Sequence, residues 1–234
     1  MNNNDKELLQ QLEKKIGYHF QDYSLLKQAL THSSYANEKK IQKLKDYERM
    51  EFLGDAVLEL VTSEYLYLEN TNRLEGEMTK LRSTYVCEPA LAFCAREIAL
   101  GQFIYCGKGE SRTGGKDRDS ILSDCMEAII GAIYLDGGLE QAKKFIHRGI
   151  LTDLENKRLF YDSKSSLQEM VQGKRKQPIA YRLTGESGPE HEKCFQVEVL
   201  VGDVVVGSGS GKSKKIAEQN AAYQAILQLK KEKA

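Results

Sequence analysis

The stretch Tyr47-Glu48-Arg49-Met50-Glu51-Phe52-Leu53-Gly54-Asp55-Ala56-Val57-Leu58-Glu59 decides how the first part of the chain folds. Its apolar residues recur at the spacing of a helix, and the helical pattern runs from about residue 46 to 68. On that helix Glu48, Glu51 and Asp55 stand at positions i, i+3 and i+7, so their carboxylates share one face. Like charges at this spacing repel each other, and a bound cation would remove the penalty.

A second acidic pair lies in Ser120-Ile121-Leu122-Ser123-Asp124-Cys125-Met126-Glu127-Ala128-Ile129-Ile130-Gly131. Asp124 and Glu127 are also at i and i+3, and the apolar residues around them predict a buried helix. Carboxylates in such surroundings need a cation or a hydrogen-bond network as partner. Glu75, in Leu74-Glu75-Gly76-Glu77-Met78, is a third acidic contributor. Carboxylates on a helix more often form a solvated face, and the residues alone leave both interpretations open.

Residues 5–155 predict an all-α domain. Helical periodicity is evident around residues 8–16 and 25–30, and it returns at 119–135 and 139–155. Pro89 can open another helix at its first turn. Residues 107–118, GKGESRTGGKDR, predict a polar, glycine-rich loop, and no alternating strand is apparent in this half.

The pattern changes after residue 155. Residues 156–161 predict a linker, and residues 162–231 predict a small α+β domain in the order α-β-β-β-α. Phe195, Val197, Val199 and Val201 alternate with other residues as in a strand. Gly202-Asp203 fits a tight hairpin turn, after which the chain returns as the next strand. A final helix is predicted at residues 213–230.

Composition restricts the classes of protein that remain. The 234 residues have no net charge, but residues 162–234 carry 12 Lys and Arg against 9 Asp and Glu. This surplus permits a basic binding module, because binding to phosphate depends on local clusters. The amino terminus lacks the apolar core of a signal peptide, and no apolar run is long enough to span a membrane. Five cysteines without CxxC spacing indicate a reducing cytoplasm rather than a disulfide framework.

The segment Glu48–Leu60 resembles the signature of the ribonuclease III family. Three further motifs match that family in order and spacing: Thr31-His32-Ser33-Ser34-Tyr35, Glu75-Gly76-Glu77-Met78 and Ser120–Ala128. Small departures are Tyr47, where many members carry Asn, and Met50, where Leu is common. Neither departure removes a carboxylate.

The resemblance implies a divalent-metal-dependent endoribonuclease that hydrolyses double-stranded RNA. Glu51, Asp55, Asp124 and Glu127 would hold metal, with Asp55 and Glu127 catalytic, and Glu48 and Glu75 would be accessory acidic residues. Oxygen ligands of this kind suit Mg²⁺, with Mn²⁺ as a substitute. The family further implies a homodimer and products with 5′-phosphate and 3′-hydroxyl ends and short 3′ overhangs. It also implies processing of ribosomal RNA precursors and of some messenger and transfer RNA precursors. His32 is interpreted as a structural histidine.

The carboxy-terminal part resembles the double-stranded RNA-binding domain. The matching residues are Ser166-Leu167-Gln168-Glu169, Gly207-Ser208-Gly209 and the segment from Lys212 to Ala222. Lys212, Lys214 and Lys215 cluster where the last helix begins, and both their charge and the helix terminus attract phosphate. Gln168 and His191 are expected to reach the minor groove of the duplex.

Two other classes of function compete with the nuclease. A duplex-RNA binder with a silent nuclease fold would lack one of the carboxylates at 51, 55, 124 or 127, and all four are present. A helical phosphohydrolase with unrelated metal chemistry would usually need histidine ligands. The four histidines, His19, His32, His147 and His191, show no paired metal spacing.

Overall fold

The fold comes from a computed structural model that describes residues 3–40, 45–69, 71–154, 157, 159, 162–172, 177–189, 193–211 and 213–231. The chain divides into two compact units, Met1–Leu154 and Glu155–Ala234. Each unit has a hydrophobic core of its own.

The first unit is helical, as the sequence predicts. Its helices are α1 (Asn3–Ile16), α2 (Tyr23–Ala29), α3 (Ser33–Glu38), α4 (Glu48–Glu69), α5 (Glu75–Tyr85), α6 (Glu88–Glu97), α7 (Lys108–Arg112), α8 (Asp119–Gly137) and α9 (Leu139–Gly149). Pro89 lies in the first turn of α6, where a missing N–H costs no hydrogen bond. Within the described part of this unit, extended pairing is limited to an isolated bridge between Thr31 and Tyr105.

The core forms around α8, which packs chiefly against α4. Leu122, Ile129 and Ile133 of α8 are buried, as are Leu58 and Val61 of α4. Full burial of a leucine contributes about 1.5–3 kcal/mol to stability. Gly138 ends α8 with a φ of +78°, a conformation that favours glycine. No helix among the described residues combines the length and apolar character that crossing a bilayer requires.

Two local expectations for this unit need correction. The helix that starts at Leu139 ends at Gly149, not near residue 155, and Asp153 has a φ of +52° that no helix allows. The polar segment 107–118 is not a plain loop, because it contains α7 and a 3-10 turn at Gly115–Asp117. The Arg118 guanidinium pairs at 3.0 Å with the Glu110 carboxylate, which joins the two short helices.

The second unit has the predicted α-β-β-β-α order. It consists of α10 (Ser163–Gln172), β1 (Ile179–Ser187), β2 (Cys194–Val201), β3 (Val204–Gly211) and α11 (Lys214–Lys231). The strands form an antiparallel sheet in the order β1-β2-β3, with an irregularity between Leu183 and Gly185. Val197, Val199 and Val201 of β2 are buried beneath the helices. Gly202 turns the β2–β3 hairpin with a φ of +61°.

Helix α11 lies directly on the backbone of β3. A Cβ added at Gly207 or Gly209 would clash with main-chain atoms of α11, because it would lie closer to them than Cβ atoms do in proteins. On the helix side the facing residues are alanines, Ala217, Ala221 and Ala225, all fully buried. Small residues on both surfaces therefore bring the amino-terminal end of α11 against the end of β3.

Candidate active site

The site begins with a close crossing of α4 and α8. A Cβ added at Gly54 of α4 would overlap the carbonyl oxygen of Glu127, and one added at Gly131 of α8 would overlap the carbonyl oxygen of Met50. The two backbones therefore touch at a pair of glycines. Glu51 and Asp55 flank this crossing on α4, and Asp124 and Glu127 flank it on α8.

The crossing brings the four core carboxylates into electrostatic contact. Burial, together with the charges of Asp55, Glu51 and Asp124, raises the pKa of Glu127 from 4.5 to about 8. Burial and the charges of Asp124, Glu48 and Asp55 raise the pKa of Glu51 to about 7. The charges that raise these two pKa values all belong to other carboxylates. A cation is the natural partner for such a set, because it favours the ionised form that burial opposes.

Asp124 accepts hydrogen bonds from two neighbouring hydroxyl groups. Burial raises its pKa, and hydrogen bonds donated by the Ser123 hydroxyl and the Tyr47 hydroxyl, both at 3.4 Å, act in the opposite direction. Glu88, in the first turn of α6, adds a further charge that raises the Asp124 pKa. Glu88 was not predicted from the sequence, because no helical spacing relates it to either acidic cluster.

His32 has structural contacts. It precedes α3 as the N-cap residue, and its Nδ1 accepts the N–H of Ser34 at 3.1 Å. Its ring stands edge-on to Tyr47, with ring centroids 5.6 Å apart. His32 therefore supports the buried tyrosine that reaches Asp124, and its positive form would lower the pKa of that carboxyl.

The two accessory acidic residues lie in different places. Glu48 is exposed in the first turn of α4 and is close enough to Glu51 to raise the pKa of that carboxyl. Glu75 opens α5, and its carboxylate accepts the Thr79 hydroxyl at 2.8 Å. Its side chain lines a cleft of about 480 Å³ against the carboxyl-terminal half of α4. The structure thus brings Glu48 to the core carboxylates and places Glu75 in a separate cleft.

The donor set fits a hard divalent ion. Its members are carboxylate oxygens, the ligands that Mg²⁺ and Mn²⁺ accept. Across the described ranges, no three His, Cys, Asp or Glu side chains converge closely enough to hold an ion as they stand. The charge of a bound ion would offset the repulsion between neighbouring carboxylates. Glu51, Asp55, Asp124 and Glu127 are the residues that would close around it.

The predicted RNA-binding residues lie on the second unit. Gln168 is exposed on α10, and Lys214 and Lys215 are exposed in the first turn of α11. His191 and Lys212 lie outside the described residues. The amino-terminal end of α11 therefore carries two of the three predicted lysines together on its surface.

A charged cluster beside Lys214 was not predicted. The Glu186 carboxylate of β1 forms an ion pair with the Lys193 ammonium at 2.9 Å and lies 3.8 Å from the Lys214 ammonium. Both ammoniums lie 5.8 Å from the centre of the Phe195 ring. Predicting this cluster requires the strand register, which places Glu186 opposite Phe195. A sequence without known pairing does not reveal this neighbourhood.

Comparison with known protein families identifies both units. Residues 22–154 match the model of the ribonuclease-III-like family, and residues 163–229 match the model of the double-stranded RNA binding motif. These two matches agree with the resemblances inferred from the sequence motifs. They also confirm the predicted order of an all-α domain followed by an α-β-β-β-α domain.

Individual relatives match over almost the whole chain. A ribonuclease 3 of Caldanaerobacter subterraneus subsp. tengcongensis is 50% identical over 225 residues, which is 95% of this chain and 98% of that protein. A ribonuclease 3 of Oceanobacillus iheyensis is 48% identical, over 92% of this chain and 95% of that protein. The solved nuclease domain of Campylobacter jejuni ribonuclease III is 45% identical, with a TM-score of 0.56, covering 60% of this chain and 94% of that one. The chain belongs to the ribonuclease III family.

Proposed function

We propose that this protein is a divalent-metal-dependent endoribonuclease that hydrolyses phosphodiester bonds in double-stranded RNA. The observation that carries the proposal is the crossing of α4 and α8, where burial and like charge leave Glu51 and Glu127 with pKa values near 7 and 8. Perturbed carboxyls of this kind cluster at functional sites. The relatives that match along almost the whole chain are ribonucleases.

The proposed metal ligands are Glu51, Asp55, Asp124 and Glu127, with Mg²⁺ as the ion and Mn²⁺ as its substitute. When bound, the ion supplies an acidic water and stabilises charge on the leaving 3′ oxygen. Asp55 and Glu127, one on each helix, would orient the attacking water and the scissile phosphate. Tyr47 and Ser123 would hold the Asp124 carboxylate in place. The expected products carry 5′-phosphate and 3′-hydroxyl ends with short 3′ overhangs.

The accessory acidic residues, Glu48 and Glu75, are proposed to act outside the set of four. Glu48 adds negative charge beside Glu51, which raises the Glu51 pKa and would add to the attraction for a cation. Glu75 is exposed in its own cleft, where it is available to a substrate strand or a further ion.

The second unit is proposed to bind the duplex through Gln168, His191, Lys212, Lys214 and Lys215. The support is the match to the double-stranded RNA binding motif and the exposure of Lys214 and Lys215 at the start of α11. Modules of this type recognise A-form shape through phosphates and 2′-hydroxyls rather than base sequence. The catalytic unit then needs no base-specific contacts of its own.

A homodimer is proposed through one flank of α4. Phe52 is 81% exposed, and Leu60 and Tyr67 are also exposed, at 57% and 71%. At about 100° per residue, the three side chains fall within an arc of about 80° around α4 and so form an apolar stripe. Large exposed apolar surfaces mark sites of association. The nuclease domain of C. jejuni ribonuclease III has a region involved in dimer formation.

The remaining proposals concern location, targets and domain bounds. Cytoplasmic location is supported by five cysteines without CxxC spacing. Ribosomal RNA precursors, with some messenger and transfer RNA precursors, are the proposed targets. The proposed catalytic domain spans residues 5–155, the linker 156–161 and the binding domain 162–231. The division of the chain after Leu154 supports these bounds.

The test is incubation of the purified protein with a long perfect RNA duplex, with Mg²⁺ or with chelator, followed by analysis of product ends. We expect cleavage only with the ion, 5′-phosphate ends, and no cleavage of the separated strands. Binding of the duplex without cleavage under all metal conditions would favour a silent duplex-binding protein instead.

A further inference from the structure

A row of three residues crosses the sheet of the second unit at the end nearest the start of α11. Glu186 of β1 pairs with Phe195 of β2, and Phe195 pairs with Gly211 of β3. Residues directly opposite on neighbouring strands project to the same face. Phe195 lies two residues before Val197 and so shares its face of the sheet, and Val197 is buried beneath the helices, so the row faces α11. Glu186 is therefore on the same side of the sheet as the predicted phosphate-binding lysines.

Gly211 brings α11 onto this row. A Cβ at Gly211 would lie 2.6 Å from the Ile216 side chain and 2.8 Å from the backbone nitrogen of Ala217. Only a glycine leaves room for the first turn of α11 at this point. The turn that carries Lys214 is thereby fixed above Phe195, within reach of Glu186.

Glu186 joins two lysines from separate segments. Its Oε2 lies 2.9 Å from the Lys193 ammonium, and its Oε1 lies 3.8 Å from the Lys214 ammonium. A hydrogen bond from Lys193 and the charges of both lysines lower the Glu186 pKa, so the carboxylate is ionised. Without it, the two ammoniums near the same ring would repel each other.

Both ammoniums stay accessible to a ligand. The Lys193 and Lys214 side chains are 43% and 60% exposed, although each is held by the carboxylate. Free lysine side chains lose much rotamer freedom when they bind phosphate, and side chains that are already held lose less. A held pair of ammoniums therefore suits a phosphate group better than two independent lysines.

We propose that Glu186 is a positioning residue that holds Lys193 and Lys214 side by side as a paired contact for the RNA backbone. This inference rests on the proposed duplex binding by the second unit, and it adds Lys193 to the residues proposed to contact RNA. The proposal predicts the direction in which removal of the Glu186 charge changes the affinity for RNA. A carboxylate merely near phosphate repels it, so its removal tightens binding. A carboxylate that positions two cations has the opposite effect.

The experiment measures binding of the full-length protein to a labelled RNA duplex by fluorescence anisotropy, in chelator and at several salt concentrations. The duplex has about 20 base pairs, longer than the roughly 16 that such a domain spans. We expect Glu186→Gln to weaken binding roughly 3–10-fold and to lower the salt slope by about one, the loss of one phosphate contact. Unchanged or tighter binding would overturn the proposal.

The matched control is Glu198→Gln. Glu198 also lies on the sheet in an exposed ion pair, 2.7 Å from Arg182, but it alternates with buried Val197 and so points to the other face. The control removes the same charge and should change the affinity less than about twofold, because Glu198 lies on the face away from Lys193 and Lys214. An equal loss from both variants would mean that lowered sheet stability, not lysine positioning, weakens binding.

A variant that lacks both lysines distinguishes a positioning role of Glu186 from a role in folding. In a Lys193→Ala, Lys214→Ala protein, Glu186→Gln should no longer weaken binding, because the cations that it positions are gone. A further loss of the same size in that background would assign Glu186 a purely structural role. Wild-type protein that fails to bind the duplex would refute the proposed function itself, whereas equal binding by wild type and Glu186→Gln would refute this inference alone.

Discussion

The backbone of Gly54 lies directly against the main-chain carbonyl of Glu127, with no room between them for even a Cβ atom. Gly131 has the same relationship with Met50, so α4 and α8 meet through a reciprocal pair of glycines. This contact sets the separation of the two helices, and with it the separation of Glu51 and Asp55 from Asp124 and Glu127. The geometry of the proposed site therefore depends on residues that carry no functional group.

We expect Gly54→Ala to damage both stability and the site. The added methyl group must push α8 away, and overpacking of this kind costs about 1–3 kcal/mol. Differential scanning calorimetry should show a lower Tm, and calorimetric titration with Mn²⁺ should show weaker binding. Gly76→Ala is the control, because a Cβ there meets nothing within 4 Å. Its Tm should not fall, since alanine favours a helix more than glycine does, and its Mn²⁺ binding should be unchanged. Wild-type stability in Gly54→Ala would contradict the close crossing.

Much of this arrangement follows from helical spacing. The i, i+3 and i+7 positions place Glu48, Glu51 and Asp55 on one face of α4 without knowledge of any other element. That α4 meets α8 at Gly54 and Gly131 does not follow, because these glycines are 77 residues apart and a tertiary contact leaves no periodic signal within either segment. The family motifs supplied that pairing.

What the sequence did not predict has identifiable physical causes. The helix from Leu139 stops at Gly149 although apolar residues continue beyond it, because Ile150 and Leu151 are buried by tertiary packing rather than by helical repetition. Glu186 meets Lys193 and Lys214 through strand register, which includes an irregularity after Leu183. Glu88 approaches Asp124 only because α6 packs on α8.

Replacement of Glu127 by Gln should abolish cleavage and leave RNA binding intact. The amide cannot carry the charge that a divalent ion requires, and we expect a loss of about a thousandfold or more, as for other groups that stabilise developing charge. Duplex affinity in chelator should stay within about twofold, because Gln168, Lys214 and Lys215 belong to the other unit. Single-turnover cleavage and anisotropy measure the two effects. Retained cutting would remove Glu127 from the mechanism.

The metal-free protein should lose stability as pH rises from about 5 to 8. The folded-state pKa values of Glu51 and Glu127, about 7 and 8, lie above the ordinary value of 4.5. The folded state therefore binds more protons in this range, so stability is fully present below pH 4.5 and is lost as pH rises through 7 and 8. Thermal melts in chelator test this, and millimolar Mg²⁺ should oppose the loss.

Two variants isolate the carboxyl responsible for this pH dependence. Glu127→Gln cannot ionise, so at pH 8 without metal it should melt about 2–4 °C above wild type, the shift expected for about 1 kcal/mol in a chain of this size. Glu140→Gln changes an exposed glutamate on α9 and should melt with the wild-type pH profile. Identical profiles for Glu127→Gln and wild type would show that Glu127 ionises freely in the folded protein.

Lys214→Ala combined with Lys215→Ala should weaken duplex binding and reduce its dependence on salt. Each lysine that contacts phosphate contributes about one to the slope of log affinity against log salt, so the slope should fall by up to about two. Lys230→Ala with Lys231→Ala removes the same charge from the opposite end of α11 and serves as the control. An unchanged slope in the first variant would mean that these lysines do not touch phosphate.

Phe52→Glu should separate the proposed dimer. The Phe52 ring is almost fully exposed on α4 in line with Leu60 and Tyr67, so in a dimer it would be buried at the contact, and a carboxylate there would lose its hydration without gaining a partner. Loss of a central aromatic contact typically costs about 2 kcal/mol or more, so the dimer Kd should rise about 30-fold or more. Sedimentation equilibrium measures this directly. Leu135→Glu adds the same charge at an exposed leucine of α8 and should stay dimeric. A Phe52→Glu protein with the wild-type dimer Kd would place the interface on another surface, and cleavage by a stable monomer would show that one subunit holds a complete site.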